Sequence, residues 1–151
     1  LVKKLDEEHY FDPTSLVDTR DRVVREIVQR RGQPQFRAAL LTAFGSRCAL
    51  TGCDAEEVLE AAHIAPYVGI ESNDVCNGLL LRADIHTLFD LKLIAICPDK
   101  LVWHISSKLE RTSYANFDGT PLSLPSSPRS HPSVHALSIH WNQYRAREAL
   151  S

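Results

Sequence analysis

The chain has 151 residues, a mass of 16.9 kDa and a formal net charge of −2, with 44% apolar and 24% charged residues. This composition predicts one folded domain with a buried core and excludes a wholly disordered chain. The longest apolar run, residues 93–97, is far shorter than the roughly 20 residues of a membrane-spanning helix. We therefore expect no membrane association.

The start of the sequence indicates that it belongs to something longer. It contains no methionine, even at position 1, and no basic, apolar, small-residue signal peptide opens it. We expect a processed product or, in preference, an excised piece of a longer cytoplasmic protein. Residues 1–16 are interpreted as a lead-in or the end of a linker, and residues 17–151 as the domain.

Two helices are predicted at the beginning of this domain. Apolar residues recur at helical spacing over residues 17–31, and Gly32 is placed to end that helix. Pro34 is placed to begin the second helix, which ends at Gly45. The apolar positions are Val17, Val24, Ile27 and Val28 in the first helix, and Phe36, Ala39, Leu40 and Ala43 in the second.

The rest of the chain predicts short strands among helices, which is an α+β fold class. The expected order is a strand at 48–50, a turn at Thr51-Gly52, a strand at 58–63, a loop at 64–75, a strand at 78–81 and a helix at 83–89. A hairpin of 93–97 with 101–105 follows, then a loop rich in Pro and Ser at 118–132. An amphipathic helix over 133–150, with Val134, Leu137, Ile139 and Trp141 on its apolar side, ends the chain.

The most informative segments are LEAAHIAPY from Leu59, NGLLL from Asn77 and RADIHTLFD from Arg82. They predict a strand–loop–strand–helix unit with a histidine at a strand end, an asparagine before the returning strand and a histidine on the helix. This unit resembles the ββα-metal motif of HNH nucleases, and most closely a restriction-type subgroup with LEAAHI, NGLLL and DIHxLFD. The resemblance covers about residues 30–97. It implies a ββα-metal motif with small antiparallel hairpins, flanked by N-terminal helices and a C-terminal helix.

His63 is the candidate general base. Phosphodiester hydrolysis needs a group that takes a proton from water near neutral pH, which suits imidazole. The resemblance implies this role for His63, with a backbone carbonyl on its other ring nitrogen, and implies that Asn77 braces the loop that orients it. The residues alone are equally compatible with a packed hairpin histidine and with a turn asparagine before Gly78.

A metal site is expected on the predicted helix. His86 and Asp90 are spaced i and i+4 and so share a helix face. The resemblance implies that both are metal ligands. Many HNH nucleases have another ligand immediately before the base, where this chain has Ala62. Glu60, on the same side of an extended strand, is the alternative source of a carboxylate, and water is the other.

The cation expected at this site is Mg²⁺, with Mn²⁺, Co²⁺ or Ni²⁺ as substitutes and Zn²⁺ as a poor one for turnover.

Two further features lie close to the ligands. Asp84 is interpreted as a first-turn charge or a partner of Arg82, and Leu91-Lys92 stand where the subgroup usually has a glycine. The histidines outside the motif are expected on the surface or in packing: His104, His131, His135 and His140.

Charge is segregated along the chain. Residues 18–47 hold seven basic and three acidic side chains, residues 53–91 one and eight, and residues 100–151 six and three. An acidic centre between basic flanks suits a cation site beside polyanion-binding surfaces, although charge alone favours the simpler interpretation of solvated faces on separate helices. The arginines expected to contact a DNA backbone are Arg20, Arg22, Arg25, Arg30, Arg31, Arg37 and Arg82.

The leading hypothesis is a metal-dependent endonuclease acting on double-stranded DNA, as the effector of a restriction or anti-phage system. The resemblance implies an upstream recognition or sensor domain, and a homodimer is a further expected partner arrangement. One alternative is a non-catalytic nucleic-acid-binding module with a degraded site, which Ala62 favours. Another is a zinc-stabilised interaction domain, against the simpler interpretation that the four cysteines are buried free thiols: Cys48, Cys53, Cys76 and Cys97.

Overall fold

The computed structural model describes residues 20–66 and 69–150, so the expected lead-in at 1–16 and the first helical position, Val17, lie outside the described part of the chain. The described residues form four α-helices and two antiparallel strand pairs, which confirms the α+β class. In chain order the elements are α1 (Arg20–Arg30), α2 (Pro34–Ala43), β1 (Leu59–His63), β2 (Gly78–Arg82), α3 (Ala83–Asp90), β3 (Ile94–Ile96), β4 (Trp103–Ile105) and α4 (Val134–Ala149).

The central unit is the hairpin of β1 and β2 followed directly by α3. The two strands pair antiparallel, with Leu59 opposite Arg82 and His63 opposite Gly78. Arg82 is both the last residue of β2 and the cap of α3, so no loop separates the strand from the helix. This direct connection fixes α3 against the hairpin that precedes it.

Both faces of this hairpin are covered. The faces are opposite because neighbouring side chains of a strand alternate in direction. The face of His63 and Gly78 packs on α2, and the face of Glu60 packs on α3. Leu79, Leu80 and Leu81 are consequently all fully buried in succession. Such a continuous apolar run is typical of a strand with no solvent-facing side.

The second hairpin, of β3 and β4, forms as expected around residues 98–100 and carries α4. The face of α4 that packs is different from the expected one. Val134 is 57% exposed and Ile139 is 36% exposed. The buried side chains recur at helical spacing in a set that shares only Leu137 with the expected one: Ala136, Leu137, His140 and Tyr144.

Two of the expected boundaries are wrong. Residues 48–50 form a turn and not a strand, because the Cys48 sulfur accepts hydrogen bonds from the backbone N–H groups of Thr51 and Arg82. The strand expected from residue 58 begins at Leu59, after a short 3₁₀ helix over Glu56–Val58. Both segments still lead the chain into β1.

Helix α1 lies against the rest of the domain mainly through its C-terminal end. None of its residues is buried. The Arg31 carbonyl accepts a hydrogen bond from the Ala61 backbone at 2.8 Å. Gly32 follows at φ +106, where a Cβ would lie 2.8 Å from the Ala61 Cβ, so this turn requires glycine. The apolar positions of α1 are 45–56% exposed: Val23, Val24, Ile27 and Val28. No helix in the described ranges is long and apolar enough to cross a membrane.

Burial of His140 predicts acid sensitivity. His140 is 1% exposed, and its ring stacks on Phe89 at 3.6 Å. Burial lowers the pKa of His140 from 6.5 to about 4, although its hydrogen bond to the Phe89 carbonyl favours the charged form. Between these two values the unfolded chain binds a proton that the folded chain does not. Folding free energy is therefore lost as pH falls from 6.5 towards 4, by roughly 3 kcal/mol in total.

We expect His140→Gln to be less stable than the wild type at pH 7 but to lose less stability on acidification. Urea unfolding at pH 7, 6 and 5 measures both. His135→Ala, on the exposed side of α4, is the control and should keep the wild-type pH dependence. An identical loss of stability in wild type and His140→Gln would contradict the assignment.

Candidate functional site

A cleft of about 610 Å³ opens where β1 ends beside α3, with α1 as its other wall. It brings His63 and His86 to one space, together with Asp90. The hairpin faces explain how this happens. His63 is on the α2 side and His86 approaches from the α3 side, so the two can share a space only at the strand end. The other lining residues are Glu26, Gln29, Arg30, Gly32, Ala61, Ile64, Pro66 and Lys92.

His63 is held by an aromatic ring and an amide. Its imidazole stacks on Phe36 of α2, with ring centroids 4.5 Å apart and planes 14° apart. Its Nε2 lies 2.8 Å from Asn73 Oδ1. Because an amide oxygen only accepts hydrogen bonds, Nε2 carries the hydrogen and the neutral ring has its lone pair on Nδ1. Within residues 20–66 and 69–150 the acceptor at Nε2 is thus a side-chain amide, where a backbone carbonyl was expected.

Asn77 ties together the loop between the two strands. Its Oδ1 accepts a hydrogen bond from the Ala65 N–H at 2.8 Å, and its Nδ2 donates to the carbonyls of Ala65 at 3.2 Å and Ser72 at 3.0 Å. Ala65 is two residues after His63, and Ser72 immediately precedes Asn73. The Asn77 side chain therefore joins the segment that carries His63 to the segment that carries Asn73, the hydrogen-bond partner of His63.

Gly78 leaves room for the ring that stacks on His63. A Cβ at this position would lie 2.7 Å from Phe36 Cζ and 2.8 Å from Leu40 Cδ1. Both of those side chains are buried, at 2% and 0% exposed. The close approach of α2 to β2, and with it the stack on His63, depends on a residue without a side chain.

His86 contacts a carboxylate on each side of its ring. Its Nδ1 lies 2.7 Å from Glu60 Oε1, and both side chains are 6% exposed. Its Nε2 lies 3.4 Å from Asp90 Oδ2. A carboxylate on Nδ1 fixes the tautomer in which Nε2 of the neutral ring has the lone pair. Because the two nitrogens point apart, Glu60 contacts His86 on the side away from Nε2, and Glu60 is not among the residues that line the cleft. Its expected role as a source of a ligand carboxylate stays a prediction.

Arg30 reaches from α1 into the same cluster. Its Nη2 lies 3.1 Å from Asp90 Oδ2, and its Nε lies 3.7 Å from Glu60 Oε1. Arg30 and Asp90 are almost half exposed, at 43% and 45%, whereas Glu60 is buried. The guanidinium therefore supplies positive charge between the two carboxylates and links α1 to α3.

The donor set is compatible with a weakly held hard cation. No group of three His, Cys, Asp or Glu side chains able to hold a metal ion occurs among residues 20–66 and 69–150. His86 Nε2 and the Asp90 carboxylate nevertheless face the cleft together, as one imidazole and one oxygen ligand. Mg²⁺ is commonly bound by one or two carboxylates, with waters and substrate phosphates completing its coordination. The pair fits a cation of this kind, and Ala62, which is fully buried, adds no ligand.

The expected DNA-binding arginines are not equally available. Arg82 is paired with Asp84 at 2.7 Å and 3.0 Å, which confirms the expected partnership and leaves its guanidinium less available to phosphate. Burial raises the pKa of Asp84, but hydrogen bonds from Arg82 and Tyr114 outweigh it and hold that pKa below its usual range.

Arg31 and Arg37 donate to backbone carbonyls around the start of β1, those of residues 56, 57 and 59, and so have structural contacts. Arg22 forms an exposed pair with Glu26 at 3.7 Å, on the cleft side of α1. Arg20 and Arg25 are exposed on the same helix. The arginines of α1 thus remain the better candidates for contact with a polyanion.

The cysteines and the remaining histidines do not form a second site. All four thiols are free: Cys48 is buried, and Cys53, Cys76 and Cys97 are half-buried. No three candidate ligands come together in the described ranges, so the four cysteines give the zinc-stabilised alternative no support there. His104 packs edge-on against Trp141, and His131 bonds to the Pro125 carbonyl. Both are packing residues, as expected.

Three residues that hold or surround His63 were not predicted to do so from the sequence: Phe36, Asn73 and Gly78. Phe36 was identified only as an apolar position of α2. Asn73 lies in a loop with no regular spacing to His63, and nothing in the sequence indicates that its amide meets the imidazole. A glycine after Asn77 has an equally good explanation as part of a turn.

Comparisons with known proteins find similarity to a family model and to solved structures. Residues 48–97, about a third of the chain, match a family model described as HNH endonuclease. A solved structure described as "Modification dependent TagI restriction endonuclease" is similar at a TM-score of 0.51 and 20% identity, over 70% of this chain and 35% of that one. The likeness at this identity concerns the fold, and this chain spans about a third of that protein's length. No curated protein matches the sequence.

The packing at Gly78 predicts that Gly78→Ala destabilises the domain. The added methyl group would meet Phe36 and Leu40 inside the core, which typically costs about 1–3 kcal/mol. Urea or thermal unfolding measures the loss. Phe36→Leu removes the clashing ring, so the cost of Gly78→Ala should be smaller in that background. Equal costs in the two backgrounds would show that Phe36 does not make the contact.

Proposed function

Because the chain belongs to the HNH endonuclease family through residues 48–97, we propose that it is a metal-dependent endonuclease. In this proposal it hydrolyses DNA phosphodiester bonds. HNH endonucleases generally use a divalent metal. The observation that carries the proposal is the shared cleft, in which an oriented imidazole and a histidine–carboxylate pair face one space. The oriented imidazole alone, or the histidine–carboxylate pair alone, would be equally compatible with a histidine that only packs in the fold.

His63 is proposed as the general base. Its Nε2–H is held by Asn73, and its Nδ1 lone pair is the one that would take a proton from water. The Phe36 stack restricts rotation of the ring, and Asn77 restrains the loop on both sides of it. Asn77 is therefore proposed as a positioning residue that acts on the base through Ala65, Ser72 and Asn73.

His86 and Asp90 are proposed as the ligands of the cation, with Mg²⁺ as the physiological ion. A divalent cation there would neutralise charge on the phosphate oxygens and on the departing 3′ oxygen. Glu60 keeps the His86 ring in the orientation that presents Nε2 to the cleft. Arg30 and the cation would compete for the same Asp90 oxygen, so Arg30 is expected to turn towards the bound phosphate.

The substrate is proposed to be double-stranded DNA, gripped by its backbone. The arginines of α1, Arg20, Arg22, Arg25 and Arg30, are side chains that favour phosphate oxygens over base edges. Binding of this kind is salt-dependent and largely insensitive to sequence. Targeting is therefore proposed to come from a further domain upstream, in a restriction or anti-phage protein, and the limited coverage of the TagI enzyme is compatible with this.

One alternative retains support. The non-catalytic nucleic-acid-binding module is favoured by Ala62 at a position where many relatives have a ligand, and by a donor set limited to two side chains facing the cleft. The two functions separate clearly in experiment, because both predict DNA binding and only one predicts cleavage.

His63→Ala should abolish most cleavage of supercoiled plasmid in Mg²⁺ or Mn²⁺. Loss of a general base typically lowers the rate by about 10²–10⁴-fold. His135→Ala, an exposed histidine of α4, should cleave like the wild type. DNA binding by His63→Ala should persist at low salt. If the wild type and His63→Ala both bind DNA and neither cleaves it, the endonuclease proposal fails and the binding module takes its place.

Glu60→Gln should weaken metal binding without removing a ligand. Loss of the carboxylate behind a ligating histidine typically costs about 10–100-fold in metal affinity. The measurement is Mn²⁺ titration of the His63→Ala chain with a DNA duplex present, so that the duplex stays intact. Glu57→Gln, an exposed glutamate before β1, is the control. Unchanged Mn²⁺ affinity in Glu60→Gln would contradict the role of Glu60 as the group that orients His86.

A further inference from the structure

We propose that Lys92 is a substrate-binding residue of the cleft, whose ammonium group contacts a phosphate of the DNA strand beside His63 and His86. This inference rests on the proposed function and extends it. Lys92 lies two residues after Asp90, just beyond the end of α3, and its half-buried side chain lines the cleft with both histidines. The family motif and the sequence analysis assign it no role.

The backbone at Lys92 is unfavourable for a lysine. Its φ is +60, in the left-handed region that glycine adopts without strain. The geometry is required by the helix end: the Lys92 N–H donates to the Phe89 carbonyl at 3.1 Å and the Leu93 N–H to the Leu88 carbonyl at 2.9 Å. Asparagine and aspartate tolerate this region through local hydrogen bonds, which lysine cannot form. A strained residue beside a reactive cleft indicates a functional use for its side chain.

The charges of the cleft indicate what that use is. Arg30, the other cationic side chain that lines it, is paired with Asp90 and Glu60, and it has to leave Asp90 before it can contact a phosphate. Lys92 makes no ion pair or side-chain hydrogen bond with any residue in the described ranges. Within this part of the chain it is therefore the cation of the cleft whose charge is not already neutralised. A phosphodiester carries one negative charge, and an ammonium group binds it as a point charge.

The position of Lys92 also suits the reaction. The proposed cation ligands and Lys92 are on one short segment, residues 86–92, so a phosphate that approaches His86 and Asp90 also approaches Lys92. The side chain would hold the strand in register with the base, and would do so for any base sequence. Lys92 thus makes the same type of contact as the arginines of α1, but inside the cleft.

The experiment compares Lys92→Gly with Ser46→Gly in the 151-residue chain. Ser46 is a second residue at positive φ, at +55, and it is not a lining residue of the cleft. Both substitutions relieve left-handed strain, so both should raise Tm by about 2–4 °C. Only Lys92→Gly should lower kcat/KM on plasmid DNA, by about tenfold or more. It should also reduce the slope of log affinity against log salt by about 0.9, the value for one phosphate contact. Lys92→Arg should restore both quantities in large part.

The outcomes separate this inference from the proposed function. If Lys92→Gly cleaves and binds DNA like Ser46→Gly, the Lys92 inference is wrong and the endonuclease proposal is untouched. If the wild type binds DNA but does not cleave it, the endonuclease proposal fails and the salt slope alone decides the role of Lys92. If the wild type neither binds nor cleaves DNA, both are overturned. A smaller salt slope and slower cleavage in Lys92→Gly, despite a higher Tm, support the inference.

Discussion

The contact between Glu60 and His86 is the interaction on which the site depends. The Glu60 carboxylate is only 5% exposed and must be paired. The free-energy cost of burying an unpaired carboxylate is far larger than the net stabilisation that the ion pair contributes. The partner comes from α3, so the contact fixes the rotation of that helix on β1. It also decides which nitrogen of His86 faces the cleft and brings Asp90, one turn later, to the same side. Packing and ligand orientation are therefore set by the same two side chains.

His63, the proposed base, is held by a separate set of contacts on the opposite face of the hairpin. Phe36 stacks on His63 where Gly78 leaves room, and Asn77 joins the two ends of the loop that contains Asn73. These contacts share no residue with the Glu60–His86 pair. The two halves of the site meet only where β1 ends. A change in either half is thus expected to affect proton transfer and cation binding to different extents.

The segregation of charge along the chain acquires a structural meaning. The acidic central segment contributes Glu60, Asp84 and Asp90, and each is paired in the fold, two of them with an arginine of the basic N-terminal segment. Part of the charge pattern therefore reflects neither a polyanion-binding surface nor solvated helix faces. These charges form ion pairs within the domain. What remains unpaired in the cleft is the ammonium group of Lys92, the feature that most favours a polyanion there.

The sequence by itself determined the α+β class, the strand–loop–strand–helix order of residues 59–90 and the shared helix face of His86 and Asp90, because strand and helix periodicities and the i, i+4 spacing are local properties. The resemblance to HNH nucleases, and not any periodicity, implied that His63 joins them in one site. Tertiary structure decided the rest. The acceptor on His63, the side of His86 that Glu60 contacts, the buried face of α4 and the turn at 48–50 all depend on partners distant in sequence. Hydrogen bonds and close packing require particular atoms within a few ångströms, and only the folded chain determines which residues bring them together.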